Sequence, residues 1–230
     1  MGRSSDTVAD GAKIGRMQAV LFDMDGTLLD SEKVWDIGLD ELATWLGGEL
    51  SATARRRMVG SSMGRSVAIL HADLGVEADP ESSAAFLTER TAELFHTALT
   101  WKAGARELLE AVRDAKVPAA LVTSTHRYLT EIALDTIGRE FFGAVVCGDE
   151  VRRPKPHPDP YLRAAELLGA EPGRCVAIED SPLGITAAEA AGCTVLAVPS
   201  EIAIEPAPNR TVMASLVGLS VAQLAALVPR

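Results

Sequence analysis

Two aspartates, Asp23 and Asp25, follow directly behind the short apolar run Ala19–Phe22. The run has the length of a buried strand, and side chains two residues apart at the end of a strand point the same way. Two carboxylates this close repel each other and raise at least one pKa unless a cation lies between them. Gly26 then permits a sharp turn. The pattern predicts a strand that ends in a nucleophilic aspartate, a second aspartate for proton transfer, and a divalent metal that holds both.

Short apolar runs alternate with segments of helical period along much of the remaining chain. Strand-then-helix alternation favours an α/β fold, a doubly wound parallel sheet of the Rossmann-like type with helices on both faces. Ser220 and Gln223 have the spacing of a capping box and predict a last helix. The predicted strands are Ala19–Phe22, Ala119–Val122, Ala144–Val146, Val176–Ile178 and Val195–Val198.

Residues 33–100 interrupt this alternation, because they show helical stripes without a convincing strand. We predict that 33–100 form a small helical cap inserted into an α/β core built from residues 16–32 and 101–230. Such a cap would cover the carboxyl ends of the strands, where open α/β sheets bind their ligands. Residues 1–15, rich in Gly, Ser and Asp, are expected to be a mobile lead-in.

The charge and cysteine content narrow the class of partner. The net charge of −10 argues against binding nucleic acid through bulk electrostatics, although one local pocket can still bind a phosphate. No uncharged apolar stretch reaches about 20 residues, and the N-terminus has no long apolar core, so neither a membrane span nor a secretory signal is expected. Cys147, Cys175 and Cys193 lack a metal-binding spacing and are expected to be reduced thiols. These features predict a cytoplasmic protein without a nucleic-acid or membrane partner. A monomer is plausible, and the oligomeric state is open.

Three further polar segments stand at or behind predicted strand ends. Thr123-Ser124-Thr125 either offers hydroxyl and N–H groups to a phosphate or only caps the next helix. The prolines of Arg153–Pro158 hold Lys155 rigidly, as a neutralising cation or as part of a stiff surface loop. Glu179-Asp180-Ser181 supplies either metal ligands or a helix N-cap. Since the carboxyl ends of parallel strands meet at one edge, the four segments together predict a metal site, a nucleophile and two phosphate clamps in one crevice.

This order and spacing resemble the haloacid dehalogenase superfamily of phosphotransferases. The resemblance is to the subfamily with a helical cap after the first motif, which includes β-phosphoglucomutase and many sugar-phosphate phosphatases. It is carried by Asp23-Met24-Asp25-Gly26-Thr27-Leu28-Leu29-Asp30-Ser31, by Pro154-Lys155-Pro156, and by Ile178-Glu179-Asp180-Ser181 with Gly184.

The resemblance implies a role for each residue of the motifs. Asp23 attacks phosphorus and becomes an aspartyl-phosphate, while Asp25 protonates the leaving oxygen and later deprotonates the attacking water. Thr123 and the N–H of Ser124 hold phosphoryl oxygens. Lys155 offsets the charge of the nucleophile and the phosphate.

The resemblance also implies Mg²⁺ as the cofactor. The ion would be held by Asp23, the backbone carbonyl of Asp25 and Asp180, with Glu179 binding directly or through water. The dehalogenases of the family lack the second aspartate, so Asp25 argues against halide chemistry. The expected activity is hydrolysis of a small sugar or polyol phosphate.

The cap separates a phosphatase from a mutase, because a mutase must keep water from its aspartyl-phosphate. β-Phosphoglucomutase has a histidine where this chain has Trp35, and an arginine-bearing cap loop where this chain has Gly60–Met63. These departures favour a phosphatase, with a sugar phosphomutase as the alternative and a non-catalytic binding protein as a remote one. The side chains expected to face the substrate from the cap are Glu32, Trp35, Ser62, Met63 and Arg65.

Overall fold

A sheet of six parallel strands forms the centre of the protein in the computed structural model, which describes residues 16–229. The strand order is β3-β2-β1-β4-β5-β6, and each neighbouring pair is parallel. The predicted α/β fold is therefore confirmed, and the lead-in predicted at 1–15 lies outside the described residues. The strands are β1 (Ala19–Phe22), β2 (Ala119–Val122), β3 (Ala144–Val146), β4 (Cys175–Glu179), β5 (Thr194–Ala197) and β6 (Arg210–Val212).

Strand β6 is absent from the sequence prediction because it carries no apolar run. Its three residues, Arg210, Thr211 and Val212, lie at the edge of the sheet, where they are half-buried or exposed. An edge strand of this length needs little hydrophobicity, since only one side of it pairs with the sheet.

The central strands separate two hydrophobic layers, because successive side chains of a strand point to opposite faces. In β1, Val20 and Phe22 pack into one layer, while Ala19 and Leu21 pack into the other. The first layer is covered by α5 (Ala105–Asp114), α6 (Arg127–Ile137) and α9 (Val221–Leu227), and the second by α7 (Asp159–Leu168) and α8 (Pro182–Ala190). The capping box predicted at Ser220 is present at the start of α9.

Residues 32–98, all of them described, contain four helices and no strand. The chain enters and leaves this segment through paired backbone, since the Asp30 N–H donates to the Thr100 carbonyl and the Lys102 N–H to the Leu28 carbonyl. The helical content predicted for 33–100 is therefore present, while the division of the chain into cap and core remains a proposal. The four helices are α1 (Glu32–Trp45), α2 (Ala52–Met58), α3 (Met63–Leu74) and α4 (Pro80–Ala98).

The strand order creates a switch point beside β1. From β1 the chain continues to β2 on one side, whereas β4 pairs with β1 on the other side. A crevice opens at the carboxyl ends of strands where the winding direction reverses in this way. Asp23, Thr123 and Glu179 all lie at this edge. Among the described helices, none has the length and apolarity needed to cross a membrane.

Candidate active site

Lys155 lies between two carboxylates at the centre of the site. Its Nζ donates to Asp23 Oδ1 at 2.7 Å, to Glu179 Oε1 at 2.5 Å and to the Val122 carbonyl at 2.9 Å. All three side chains of this ion-paired group are buried. Burial by itself lowers the pKa of Lys155, but the charges of Asp23 and Glu179 outweigh it and raise that pKa above its usual value. The lysine is therefore a fixed cation at neutral pH.

The acidic side of the site carries more negative charge than Lys155 can neutralise. Burial, together with the charges of Glu179 and Asp25, raises the pKa of Asp23 to about 8 despite the opposing effect of Lys155. Burial, followed by the charges of Asp23 and Glu179, also holds the pKa of Asp180 well above its usual value. Asp23, Glu179 and Asp180 each offer an oxygen within 4.8 Å of the others. Three buried carboxylates around one ammonium fit a hard divalent cation, which prefers oxygen ligands.

The carboxylate of Asp25 accepts hydrogen bonds from two sides, from the start of the helical segment and from the loop behind β2. Its Oδ1 accepts from Ser31 Oγ at 2.6 Å and Trp35 Nε1 at 2.9 Å, and its Oδ2 accepts from Thr125 Oγ1 at 2.7 Å and Thr123 Oγ1 at 3.3 Å. Asp25 is not part of the group that Asp23, Glu179 and Asp180 form within 4.8 Å of one another, and a metal held by both carboxylates of the Asp-x-Asp motif stays a prediction.

Glu179 is oriented by a tyrosine of α7 and by the N-cap residue of α8. Its Oε1 accepts from the hydroxyl of Tyr161 at 2.6 Å, and its Oε2 accepts from the N–H and the hydroxyl of Ser181 at 3.3 and 3.1 Å. Burial and the charge of Glu179 raise the pKa of Tyr161 well above its usual value, so this hydroxyl stays a donor. The role of Tyr161 is not visible in the sequence, because its position on an apolar helical stripe indicates packing.

The helix that follows β4 approaches Glu179 so closely that it needs a glycine. Ser181 caps α8 by accepting from the Gly184 N–H at 3.1 Å, which matches the predicted N-cap reading of this segment. A Cβ at Gly184 would overlap the carboxylate of Glu179. The motif Glu179-Asp180-Ser181 therefore supplies both acidic groups and a helix cap.

The two residues predicted to hold a phosphate differ in their placement. Thr123 is buried, donates to Asp25 and accepts from the Thr125 N–H at 3.0 Å. Ser124 lines the crevice, and its hydroxyl donates to the carbonyl of Gly60 at 3.2 Å. The threonine that contacts Asp25 at the shorter distance is Thr125, so both threonines of the segment reach the second aspartate.

The crevice above these groups has a volume of about 820 Å³, part of which is open to solvent. Of the cap residues named from the sequence, Glu32, Trp35 and Met63 line it. Ser62 and Arg65 are not among the lining residues, since Ser62 is the N-cap residue of α3 and Arg65 is exposed on that helix. Helical geometry is the reason, because residues 63 and 66 lie on one face and residue 65 lies on another.

Two charged residues of the crevice, Arg55 and Glu201, are not apparent from the sequence. Arg55 of α2 lines the crevice and forms ion pairs with Asp36 of α1 and, at 3.4 Å, with Glu201. Arg55 belongs to a run of three arginines, which by itself is typical of an exposed helix face. Only the packing of α2 over the site distinguishes Arg55 from Arg56 and Arg57, which are exposed.

Known proteins share both the sequence pattern and the fold. Residues 20–198 match the haloacid dehalogenase-like hydrolase family. A phosphorylated carbohydrates phosphatase from Thermotoga maritima is 33% identical over 76% of this chain and 82% of its own length. Hexitol phosphatase A from Escherichia coli is 33% identical over 80% of this chain and 83% of its own.

A solved structure has the same fold. CbbY from Rhodobacter sphaeroides, in complex with xylulose 1,5-bisphosphate, superposes with a TM-score of 0.81 at 25% identity and covers 90% of this chain and 99% of its own. Together with the convergence of Asp23, Lys155, Glu179 and Asp180 at one sheet edge, these matches show that the chain belongs to the haloacid dehalogenase-like hydrolases.

Proposed function

We propose that this protein is a Mg²⁺-dependent phosphomonoester hydrolase that acts on a small sugar or polyol phosphate through an aspartyl-phosphate. The observation that carries the proposal is the buried pair of Asp23 and Lys155, with Glu179 and Asp180 beside them. The curated relatives are named as phosphatases of phosphorylated carbohydrates and hexitols, which supports the substrate class.

The residues divide the chemistry into two displacements at phosphorus. In the first, an oxygen of Asp23 forms a bond to phosphorus while the bond to the ester oxygen breaks, and Asp25 gives its proton to the leaving alkoxide. In the second, Asp25 takes a proton from water, the water oxygen bonds to phosphorus, and the bond to Asp23 breaks to release phosphate. Lys155 and a phosphoryl-binding group at Ser124 keep the transferred group in line.

The proposed metal site consists of Asp23, Asp180 and Glu179, with the backbone carbonyl of Asp25. Bound Mg²⁺ would supply positive charge to the nucleophile and the phosphoryl oxygens. Without it, three carboxylates face a dianionic phosphate with one lysine between them.

In this proposal the cap selects the substrate, and the core carries the reacting groups. Trp35 extends from α1 to Asp25, which would couple the position of the cap to the proton-transfer group. Residues 33–100 would then close over the substrate while residues 16–32 and 101–230 hold the reacting atoms.

A sugar phosphomutase is the second candidate, because the cap lies directly against the catalytic edge. Gly60 accepts from Ser124, and a Cβ at Gly60 would come within 2.6 Å of the side chain of Ser181. Close apposition of this kind is what a mutase needs to exclude water from its aspartyl-phosphate.

The decisive experiment measures phosphate release from sugar, polyol and nucleotide monophosphates with Mg²⁺ and, in parallel, with EDTA. Conversion of β-glucose 1-phosphate to glucose 6-phosphate with a bisphosphate primer is followed in the same samples. Mg²⁺-dependent release of phosphate from sugar or polyol esters is the expected result. Isomer conversion with little free phosphate would favour the mutase, and no turnover of any ester would favour a binding protein.

A further inference from the structure

Among the described residues that line the crevice, Arg55 is the one arginine, and its guanidinium is already paired. Arg55 lies between Asp36 and Glu201, and its side chain is only 21% exposed. Glu201 is 146 residues distant in the chain, so the pair joins helix α2 to the loop behind β5. The carboxylates that pair with Arg55 are more exposed, 41% for Asp36 and 30% for Glu201, so solvent partly screens both pairs.

The crevice has few basic side chains that could bind a second anionic group. Among the described residues that line it, the lysine and arginine side chains are Lys155 and Arg55, with His126 as a third basic group. Lys155 is engaged by Asp23 and Glu179 at the catalytic end. The acidic residues of the lining are Asp23, Asp25, Glu32, Asp180 and Glu201.

Glu32 offers an unpaired hydrogen-bond acceptor in the crevice. Its Oε1 is buried and has no hydrogen-bond partner among the described residues. Its Oε2 lies 3.8 Å from Lys102 Nζ, which donates to Ser200 at 2.7 Å. A buried acceptor without a donor is costly, and a carboxylate oxygen can only accept. A hydroxyl group of a bound substrate would supply the missing donor.

We propose that the Arg55–Glu201 pair, with Glu32, makes the crevice selective for phosphate esters whose remaining part is neutral and rich in hydroxyls. A second phosphate or a carboxylate would face carboxylates and a guanidinium that Glu201 and Asp36 already neutralise, and like charges brought together oppose binding. This inference rests on the proposed function and narrows its substrate class. CbbY, of the same fold, is solved with a bisphosphate, so the selectivity would distinguish this chain from that relative.

The test measures binding separately from hydrolysis. In an Asp23→Asn background with Mg²⁺, isothermal titration calorimetry compares glucitol 6-phosphate with glucitol 1,6-bisphosphate, which differ by one phosphate. We expect the monophosphate to bind at least about tenfold more tightly. Glu201→Gln should reduce that preference to about threefold or less, because the Arg55 guanidinium would then be available to pair with the second phosphate. Adding Arg55→Met to Glu201→Gln should restore the preference.

The matched control is Glu205→Gln, an exposed glutamate of the same loop that does not line the crevice; it should leave the ratio unchanged. The inference would be overturned if the protein with Glu201 intact bound the bisphosphate as tightly as the monophosphate or more tightly. It would also be overturned if Glu201→Gln left the ratio of the two affinities unchanged, or if neither compound bound. Phosphate release from glucitol 6-phosphate by the protein with Asp23 intact is measured alongside. Selective binding without release would reject the phosphatase proposal and leave the selectivity in place.

Discussion

Asp23 is the residue at which burial, charge and proposed chemistry meet. Its carboxylate is almost fully buried, bonded to Lys155 and crowded by Glu179 and Asp180. Burying a carboxylate in this environment lowers the free energy of unfolding, because desolvation disfavours its charged form. The same environment suits a nucleophile, since an anion with little hydration has fewer water contacts to lose when it attacks phosphorus.

Asp23→Asn is expected to lower kcat for every phosphate ester to below about 1% of the unsubstituted protein, because the amide cannot form the acyl-phosphate bond. The measurement is phosphate release under Mg²⁺, with Asp135→Asn, an exposed aspartate of α6, as the control. Retention of more than a few per cent of the activity would remove Asp23 from the nucleophile's role.

The same variant gives a pH-dependent prediction about stability without metal. The pKa of Asp23 is about 8 in the folded protein and 3.8 in a model peptide, so between these values the unfolded chain binds fewer protons than the folded one. The stability contributed by the protonated group is therefore lost as the pH rises from about 4 to about 8. The amide introduced by Asp23→Asn cannot ionise, so in EDTA the Tm advantage of this variant over the unsubstituted protein should grow across this range.

Differential scanning fluorimetry at pH 5, 6, 7 and 8 checks this prediction. Mg²⁺ should reduce the advantage at pH 8, because the ion stabilises the charged Asp23. A Tm difference that is independent of pH would show that Asp23 is ionised throughout the range.

At the scale of elements, the junction of β4 with α8 is built around one close contact. The predicted strand Val176–Ile178 extends to Cys175–Glu179, and Ser181 of the segment predicted to hold metal ligands or a helix N-cap is the N-cap residue of α8. Gly184 lets the first turn of α8 approach the carboxylate of Glu179, which Tyr161 and Lys155 hold from the other side. The sequence shows a glycine at position 184, but only the packing against Glu179 explains why a larger residue would not fit there.

Gly184→Ala is expected to lower the free energy of unfolding by about 1–3 kcal/mol, because the added methyl group overlaps Glu179. It should also weaken Mg²⁺ binding by displacing that carboxylate. Gly64→Ala is the matched control, since Gly64 lies in the first turn of α3 with open space where the methyl group would be.

The control should be neutral or raise the free energy of unfolding by up to about 1 kcal/mol through helix propensity. Urea denaturation and Mg²⁺ titration measure both effects. Equal stability and equal Mg²⁺ affinity in the two variants would contradict the packing argument.

At the scale of the whole molecule, the sheet brings together site residues that lie in separate motifs of the sequence. The switch point beside β1 brings the ends of β1, β2 and β4 to one edge, and Lys155 reaches the same edge from the loop behind β3. The layer on the opposite side of the sheet from the helical segment also buries Cys175 and Cys193. Cys147, directly behind β3, is buried as well.

The three thiols are expected to be unreactive in the native protein. Burial raises the pKa of Cys147 and of Cys175 to about 11 and that of Cys193 to about 12, so little thiolate is present at pH 8. Ellman's reagent should label none of them rapidly in buffer and all three in 6 M guanidinium chloride, since all are free. Rapid labelling of the folded protein, or fewer than three thiols in denaturant, would contradict this picture.

The sequence alone determined the strand in front of Asp23, the helical content of residues 33–100, and the group of Asp23, Lys155, Glu179 and Asp180. It could do so because strand and helix periods are local, and because parallel strands bring their carboxyl ends to a common edge. The tertiary structure decided that Trp35 donates to Asp25, that Tyr161 donates to Glu179, and that Arg55, not Arg65, enters the crevice. These contacts depend on how each helix is rotated about its axis and where it lies over the sheet, and apolar periodicity does not encode which polar residues of a helix reach a distant partner.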